Sequence, residues 1–376
     1  MAALACALLA FALSAVNHVD VPFGHGAERR AEHVAGLSQA RVFIPDGAGA
    51  WLQPLPLYTT RVAAALGAGD PVRAASMAIA ALDVALLFLL ANVLFNDARV
   101  ALASAALLAL APAHLVLARS AAESVFIVPF VLAWCVCLVS ALKTQQLVWA
   151  MLAGSALGFG FFAAPTGPIT VTLLAGLTAA TMWGLPRRLQ AIAAVAGAMG
   201  FVVGAAVIVG LRIDHAPLVE TIGRWWIHPA HVVNPIEGLQ SIVNRTSASV
   251  RVGRYWHVLN PIELFLPGAS GAAPPFFGHA PFGLGYLLLL LLGVQWSGQQ
   301  RPTEWRVIAI ATLLVPIAAV TFDDVTIADV APIVPLLVLW SAGGVAQCLA
   351  APSAWTTAVA ALSGLAIVAQ SAWWLL

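Results

Sequence analysis

The chain has 376 residues, of which 61% are hydrophobic and only 9% are charged, and its formal net charge is +1. Soluble domains carry roughly one quarter charged residues, so this composition excludes an ordinary soluble protein and predicts a polytopic membrane protein. The balanced charge, with Lys143 as the single lysine among 17 basic residues, gives no basis for a nucleic-acid partner.

Apolar runs of the length that crosses a bilayer, about 20 residues, recur along the whole chain. The first, residues 1–17, lacks a positively charged start and fits a signal peptide, a spanning helix or a start assigned too late. We predict an all-α fold, in which residues 1–376 form a single membrane domain of about eleven spans. The predicted spans are residues 1–17, 74–95, 99–118, 122–142, 147–164, 168–184, 190–211, 281–295, 306–321, 330–347 and 354–375.

Basic residues in the short connections predict the orientation. One alternating set of connections holds Arg99, Lys143, Arg187, Arg188, Arg301 and Arg306. The other short connections hold only Arg119, so the first set is predicted to be cytoplasmic. Two long loops, residues 17–73 and 212–280, then lie outside, where we expect short amphipathic helices. Because these loops carry eight of the nine histidines and most carboxylates lie in or beside outer segments, the sequence predicts an outward-facing site.

Metal-binding and disulfide patterns are weak in this sequence. The four cysteines lie in apolar runs without a C-x-x-C pair, which is typical of small buried hydrophobic residues. His228 with His231, and Asp323 with Asp324, form pairs without an evident third ligand. We therefore predict no disulfide and no divalent-metal cofactor.

A more specific pattern follows the first long loop. The stretch QPLPLYTTRVAAALGAGDPVRAAS has a proline-rich segment at residues 53–58, then Gly67 and a helix with Arg73 near its start. An LFN turn at residues 94–96 and a P-x-H-x-x-x-x-R stretch at residues 112–119 come next, and APIVPLLVLWSAGGVA occurs late. This pattern resembles the membrane-embedded GT-C glycosyltransferases, in the branch of the dolichyl-phosphate-mannose, aminoarabinose and lipid A core galacturonosyl transferases.

The resemblance implies a hexosyltransferase-type enzyme of the bacterial cell envelope. In such enzymes an acceptor hydroxyl attacks a polyprenyl-phosphate-linked sugar, with inversion, in a cavity on the outer face of the plasma (inner) membrane. The implied partners are membrane lipid, the lipid-linked donor and a glycan, lipid or protein acceptor. The lipid-linked sugar is a substrate, and no further cofactor is implied.

The family's catalytic base is an acidic residue in the first outer loop, normally within an Asp-Glu pair that this chain lacks. Proton abstraction from the acceptor requires a carboxylate within hydrogen-bond reach. Glu28, in the stretch VDVPFGHGAERRAEHV, and Asp20, eight residues earlier, are the catalytic candidates. The missing pair leaves an alternative open, namely an inactive relative that binds lipid-linked sugar or supports a partner enzyme.

Several residues are candidates for binding the substrate. Arg119 and Glu123 are four residues apart, a spacing that places them on one helical face or pairs them with each other. Tyr58 lies in the proline-rich segment. Arg251 and Arg254 match phosphate geometry, or alternatively contact lipid headgroups.

Asp83 lies deep in a predicted span, where an ionisable residue indicates either function or a hydrogen bond between helices. A transporter is disfavoured because no inverted pair of interrupted helices is visible.

Overall fold

The computed structural model describes residues 2–15, 27–28, 30–31, 44–45, 51–183, 187–210, 245–266, 280–299, 302–319 and 327–375. This part of the chain is almost entirely helical, which confirms the predicted helical membrane bundle. The exception within it is a two-residue antiparallel ladder in the first long loop, between β1 (Ile44–Pro45) and β2 (Trp51–Leu52).

Fifteen α-helices fall in the described residues, and each of the eleven predicted spans overlaps a helix or a bent helix pair. They are α1 Ala2–Ala15, α2 Pro54–Ala65, α3 Pro71–Phe95, α4 Ala98–Leu110, α5 Pro112–Ser120, α6 Val128–Thr144, α7 Leu147–Gly160, α8 Gly167–Met182, α9 Arg187–Gly210, α10 Arg245–Leu259, α11 Pro261–Phe265, α12 Leu284–Gln299, α13 Pro302–Ala319, α14 Ile333–Ala350 and α15 Ala354–Leu375. Two 3-10 helices, Glu123–Ile127 and Ile327–Val330, precede α6 and α14.

Four helical stretches among the described residues are long and apolar enough to cross a membrane: Pro71–Phe95, Glu123–Thr144, Ile333–Ala350 and Ala354–Ala372. The pair α4 and α5, bent by 54°, makes a fifth if it forms one broken span. Large apolar side chains such as Val202 and Leu365 are 62% and 69% exposed, which suits helices that face lipid rather than water. The total of eleven spans stays a prediction.

The bend between α4 and α5 shows how the fold tolerates irregular backbone inside a helical bundle. Pro112 lacks an N–H and starts α5 anew. The carbonyls of Leu107 and Leu110 accept hydrogen bonds from the Tyr286 and Ser371 hydroxyls, each at 2.7 Å. The Ala113 N–H donates to the Pro281 carbonyl at 3.0 Å. Neighbouring segments thus satisfy backbone groups released by the break, as the lipid environment demands.

Small residues allow two helix pairs to approach closely. Between α7 and α9, a Cβ atom added at Gly154 would lie 1.9 Å from the Gly197 carbonyl oxygen. A Cβ at Gly200 would lie 2.0 Å from the Met151 carbonyl oxygen. The Ser155 hydroxyl donates to the Gly200 carbonyl at 2.9 Å across the same seam. Close backbone approach of this kind drives helix association in membranes, where burial from water contributes little.

Contacts near the ends of the helices show which of the predicted connections lie together. At one end the Lys143 ammonium donates to the Val93 carbonyl. The Phe95 ring lies 5.2 Å from the Trp296 ring and 5.6 Å from the Trp305 ring. The three predicted inner connections after α3, α6 and α12 therefore meet at one end. Two other predicted outer segments, at Arg30 and at Ile327–Val330, contact the turn and the 3-10 helix that follow α5.

Candidate functional site

The turn after α5 is the centre of the candidate site. Ala121 ends α5 in the left-handed conformation, with φ 54° and ψ 35°. That conformation costs about 1–2 kcal/mol for a residue with a Cβ atom, and it persists only where the surroundings fix it. Here the Ala121 carbonyl accepts a hydrogen bond from the Arg30 guanidinium, through Nη2. The turn therefore holds an arginine that comes from the first long loop.

Arg30 is the most unusual residue of the site. Its side chain is fully buried, and its guanidinium lies 5.0 Å from the centre of the Phe126 ring in a cation–π contact. Within the described residues its Nε and Nη1 atoms have no hydrogen-bond partner. Burial lowers the pKa of Arg30, and the nearby Glu123 carboxylate raises it in part. A buried cation with two such nitrogen atoms is suited to bind an anion.

Glu123 supplies negative charge to the same pocket. It begins the 3-10 helix Glu123–Ile127 and is only 7% exposed. Its electrostatic contact is with Arg30, so the structure brings this predicted residue into the site beside an arginine that the sequence pattern did not single out. The 3-10 helix Ile327–Val330, which carries the half-buried Asp329, packs against the same segment.

Arg119 lies four residues before Glu123, and its guanidinium donates hydrogen bonds to α1. Its Nη2 donates to the Leu13 carbonyl at 3.0 Å and its Nε to the Ser14 carbonyl at 3.3 Å. These carbonyls belong to the last turn of α1, where a cation is favoured by the unpaired acceptors and the helix dipole. The contacts assign Arg119 a role in fixing α1, while its predicted contact with substrate stays a prediction.

Tyr58 lies on α2, which packs against the 3-10 helix Glu123–Ile127 and against α3. Its side chain is half-buried. Burial raises the pKa of the Tyr58 phenol, and Arg61 lowers it in part, so the hydroxyl is a proton donor at neutral pH. The structure therefore places Tyr58 beside the site, without a contact that assigns it to a substrate.

The two predicted catalytic carboxylates have different outcomes. Asp20 lies outside the described residues. Glu28 is helical and exposed, two residues before the buried Arg30. Residues two apart on a helix point to different sides, so Glu28 does not share the Arg30 pocket. Its role as the base stays a prediction.

Arg251 and Arg254 lie on α10, where each is partly buried. This helix packs on α11 and α13, and the Tyr255 hydroxyl donates to the Leu313 carbonyl at 2.9 Å. The two arginines therefore belong to a different packing neighbourhood from Arg30, and their predicted phosphate contact is untested.

Two buried arginines, Arg30 and Arg73, were not predicted as site residues, although Arg73 belongs to the sequence pattern described above. The signal for Arg30 was present, since Ala27, Arg30 and Ala31 follow the helical i, i+3, i+4 spacing and all lie on one packed face. Arg73 is 6% exposed and its Nε lies 3.6 Å from the Asp70 carboxylate, whose other oxygen caps the start of α3. Neighbouring Val72 packs with Ala27 in the hydrophobic cluster beneath the Arg30 pocket.

No cluster of three metal-ligating side chains occurs among the residues that the structure describes. The His228 and Asp323 pairs considered above lie outside those residues.

Comparison with known proteins gives a match to one family model and a similarity to one solved structure. Residues 52–209 match the family model described as dolichyl-phosphate-mannose-protein mannosyltransferase. No curated protein matches the chain in a sequence search. The crystal structure of ArnT from Cupriavidus metallidurans bound to undecaprenyl phosphate is similar over 98% of this chain, with a TM-score of 0.64 and 19% identity. This chain spans 63% of the length of that ArnT chain. The resemblance to the GT-C superfamily of membrane glycosyltransferases is therefore confirmed, by the family match and by the fold.

Proposed function

We propose that the chain transfers a sugar from a polyprenyl-phosphate-linked donor to an acceptor hydroxyl, with inversion at the anomeric carbon. The observation that carries this proposal is the buried Arg30 guanidinium beside Glu123, whose Nε and Nη1 atoms have no hydrogen-bond partner among the residues that the structure describes. ArnT, whose fold is similar, binds undecaprenyl phosphate. A lipid phosphate is an anion that suits such a guanidinium, because Arg binds phosphate through two parallel hydrogen bonds.

The proposed reaction is a single displacement. A carboxylate removes the proton of the acceptor hydroxyl, and the acceptor oxygen forms a bond to the anomeric carbon while the bond from that carbon to the phosphate oxygen breaks. The electron pair leaves with the polyprenyl phosphate, whose developing charge Arg30 stabilises. Glu28 and Asp20 are the proposed bases.

The proposed hexose class, and an acceptor that is a glycan, a lipid or a protein, come from the family resemblance. No divalent metal enters the proposed chemistry.

A transfer assay with purified protein tests this function. Incubation with a panel of polyprenyl-phosphate hexoses and mixed envelope acceptors should release the polyprenyl phosphate and form a glycosylated product. Glu28→Gln or Asp20→Asn should remove turnover while donor binding persists. Arg99→Gln is a matched control because Arg99 is exposed, lies at the other end of the bundle and pairs with Asp97 at 2.9 Å. Absence of turnover with every donor would contradict the proposal.

A second candidate function is a non-catalytic relative that binds lipid-linked sugar. It is favoured by the exposed position of Glu28, together with the missing Asp-Glu pair. In this case the purified protein should bind the donor, Arg30→Gln should remove binding, and neither carboxylate variant should change any transfer.

The proposed orientation places the Arg30 site on the outer face of the bacterial plasma membrane, above about eleven spans. Single cysteines at Glu28, in the first long loop, and at Trp225, in the second, should react with a membrane-impermeant maleimide in intact spheroplasts when the four native cysteines are absent. A cysteine at Lys143 should react only after lysis. Labelling of the Glu28 and Trp225 positions from opposite sides would contradict a shared outer cavity.

A further inference from the structure

A second set of buried polar groups lies below the candidate site, between α3 and α5. Asp83 is fully buried midway along α3, and His114, in the first turn of α5, is 6% exposed. The Asp83 Oδ2 atom lies 4.0 Å from the His114 Nε2 atom. Among the described residues, neither carboxylate oxygen nor either imidazole nitrogen has a hydrogen bond of normal geometry. The backbone groups at the adjacent bend have hydrogen-bond partners, so the lack of described partners is specific to these two side chains.

An isolated charge at either position would be costly. Removing a carboxylate or an imidazolium from water costs several kcal/mol, and an ion pair offsets that cost only with further hydrogen bonds. None of the described residues supplies such bonds to Asp83. A neutral carboxylic acid beside a neutral imidazole avoids the cost, because the acid offers one O–H donor and the imidazole one acceptor nitrogen. The two side chains are therefore complementary when they hold one proton between them.

The surroundings also select the acceptor nitrogen of the imidazole. The backbone of Ala80, about one helical turn before Asp83, lies beside His114. Its carbonyl offers an acceptor to one ring N–H, which leaves the other ring nitrogen as the acceptor that faces Asp83. A side-chain shift of about 1 Å brings the pair from 4.0 Å to ordinary hydrogen-bond distance.

The position of this pair connects it to the candidate site. The helix α5 has nine residues, too few to be stable alone, and the 54° bend separates it from α4. Its outer end is held by Arg119, through the carbonyls of α1, and leads into the Ala121 turn that binds Arg30. His114 is a buried polar side chain at its inner end, and it faces Asp83 on α3. About 10 Å of helix separates His114 from Ala121.

We propose that Asp83 and His114 are positioning residues that share one proton, with the Asp83 carboxylic acid donating to the His114 imidazole. This hydrogen bond fastens α5 to α3 and thereby sets the height and direction of the Ala121 turn. The hydrogen bond makes the α4–α5 span rigid next to the Ala121 turn. This role does not depend on the proposed transferase activity.

Infrared difference spectroscopy at neutral pH tests the proton. The spectrum of the full chain minus that of Asp83→Asn should show the carbonyl band of a protonated carboxylic acid. The same band should move to higher frequency in His114→Phe, because the acid loses its acceptor. A carboxylate band in place of the acid band, or an acid band that His114→Phe leaves unmoved, would overturn the proposal. Asp83→Asn keeps a donor at this position, so it retains the fold if the proposal is right.

Hydrogen–deuterium exchange tests the positioning. Asp83→Leu, which cannot donate, should raise exchange at residues 113–121 at least tenfold, while Asp83→Asn restores the wild-type protection. Ser104→Ala on α4 is the matched control, because that buried hydroxyl bonds only within its own helix, to the Val100 carbonyl at 2.7 Å. Equal protection of residues 113–121 in Asp83→Leu and in the wild-type chain would contradict a role in holding α5. If Asp83→Leu fails to fold, faster exchange in His114→Phe than in Asp83→Asn supports the same role, and equal exchange in those two variants contradicts it.

Discussion

The two ends of the helical bundle are built in opposite ways. At the predicted inner end, the Lys143 ammonium binds the Val93 carbonyl, aromatic rings of Phe95 and Trp305 fill the space between helices, and the charges of Asp97 and Arg99 pair in the open. At the predicted outer end, Arg30 and Glu123 are buried together.

This difference indicates which end of the bundle serves mainly the stability of the fold and which end serves its function. An end that is optimised only for folding exposes its charges or removes them, because burying them costs free energy. Buried charge whose donor atoms have no partner within the described part of the chain, as at Arg30, is typical of a site that a ligand completes. The predicted outer end is therefore the part of the molecule where substitutions should change activity more than stability.

The largest expected effect comes from Arg30→Gln. Loss of the guanidinium should lower donor-dependent transfer about 100- to 1,000-fold, the usual effect of removing one group that stabilises developing charge. Arg30→Lys should recover part of the loss, since an ammonium supplies charge without the two-donor geometry. Steady-state transfer rates measure the effect, with Arg99→Gln as the control. If Arg99→Gln also lowers the transfer rate about 100-fold, the two ends do not differ in their effect on activity, which would contradict the comparison.

Arg119→Gln should destabilise the fold without changing donor affinity. The variant loses charge-assisted bonds to two carbonyls of α1, and hydrogen bonds to charged groups contribute about 1.5–3 kcal/mol each. Thermal unfolding in detergent measures the stability, and a donor-binding titration measures the affinity. Unchanged unfolding with at least tenfold weaker donor binding would show that Arg119 contacts substrate instead, as its position in the sequence predicted.

Gly200→Ala tests a region that belongs to neither end. The added Cβ would meet the Met151 carbonyl oxygen at 2.0 Å, so α7 and α9 must separate, at a cost of about 1–3 kcal/mol. Gly176→Ala is the matched control, because nothing lies within 4 Å of the added atom on α8. The unfolding temperature should fall for the first variant and hold or rise for the second. Turnover per folded molecule should stay unchanged in both.

The sequence predicted the helices well and the site only in part. Apolar runs specify membrane helices directly, because lipid permits few alternatives to a helix, and so every predicted span overlaps one. Glu123 was found because an acidic residue in a short outer turn is conspicuous. Arg30 was missed because two adjacent arginines in an outer loop suggest solvated charge, although Ala27 and Ala31, at helical spacing from Arg30, indicated a packed face on its side.

The other features of the site were not predicted because they depend on contacts that the sequence spacing does not reveal. Arg119 and Glu123 are four residues apart in sequence, but the left-handed turn at Ala121 interrupts the helix between them, so helical spacing does not describe their relation. Arg119 instead reaches carbonyls 105 and 106 residues away in the chain. Asp83 was correctly singled out as a buried carboxylate, whereas its neighbour His114 becomes visible only when α5 folds back beside α3.

The smallest expected effect comes from Ala121→Gly, which addresses the strain at the outer end. Glycine adopts the left-handed conformation without the cost of about 1–2 kcal/mol that alanine bears. Its greater freedom in the unfolded chain offsets about 0.4–1 kcal/mol of that gain. A net stabilisation of about 1 kcal/mol or less should appear as a small rise in the unfolding temperature. The Ala121 carbonyl that binds Arg30 is a backbone group, so it survives the substitution and transfer should be retained. A lower unfolding temperature would show instead that the Ala121 methyl group, packed against Ala27 and Val72, contributes more than the strain removes.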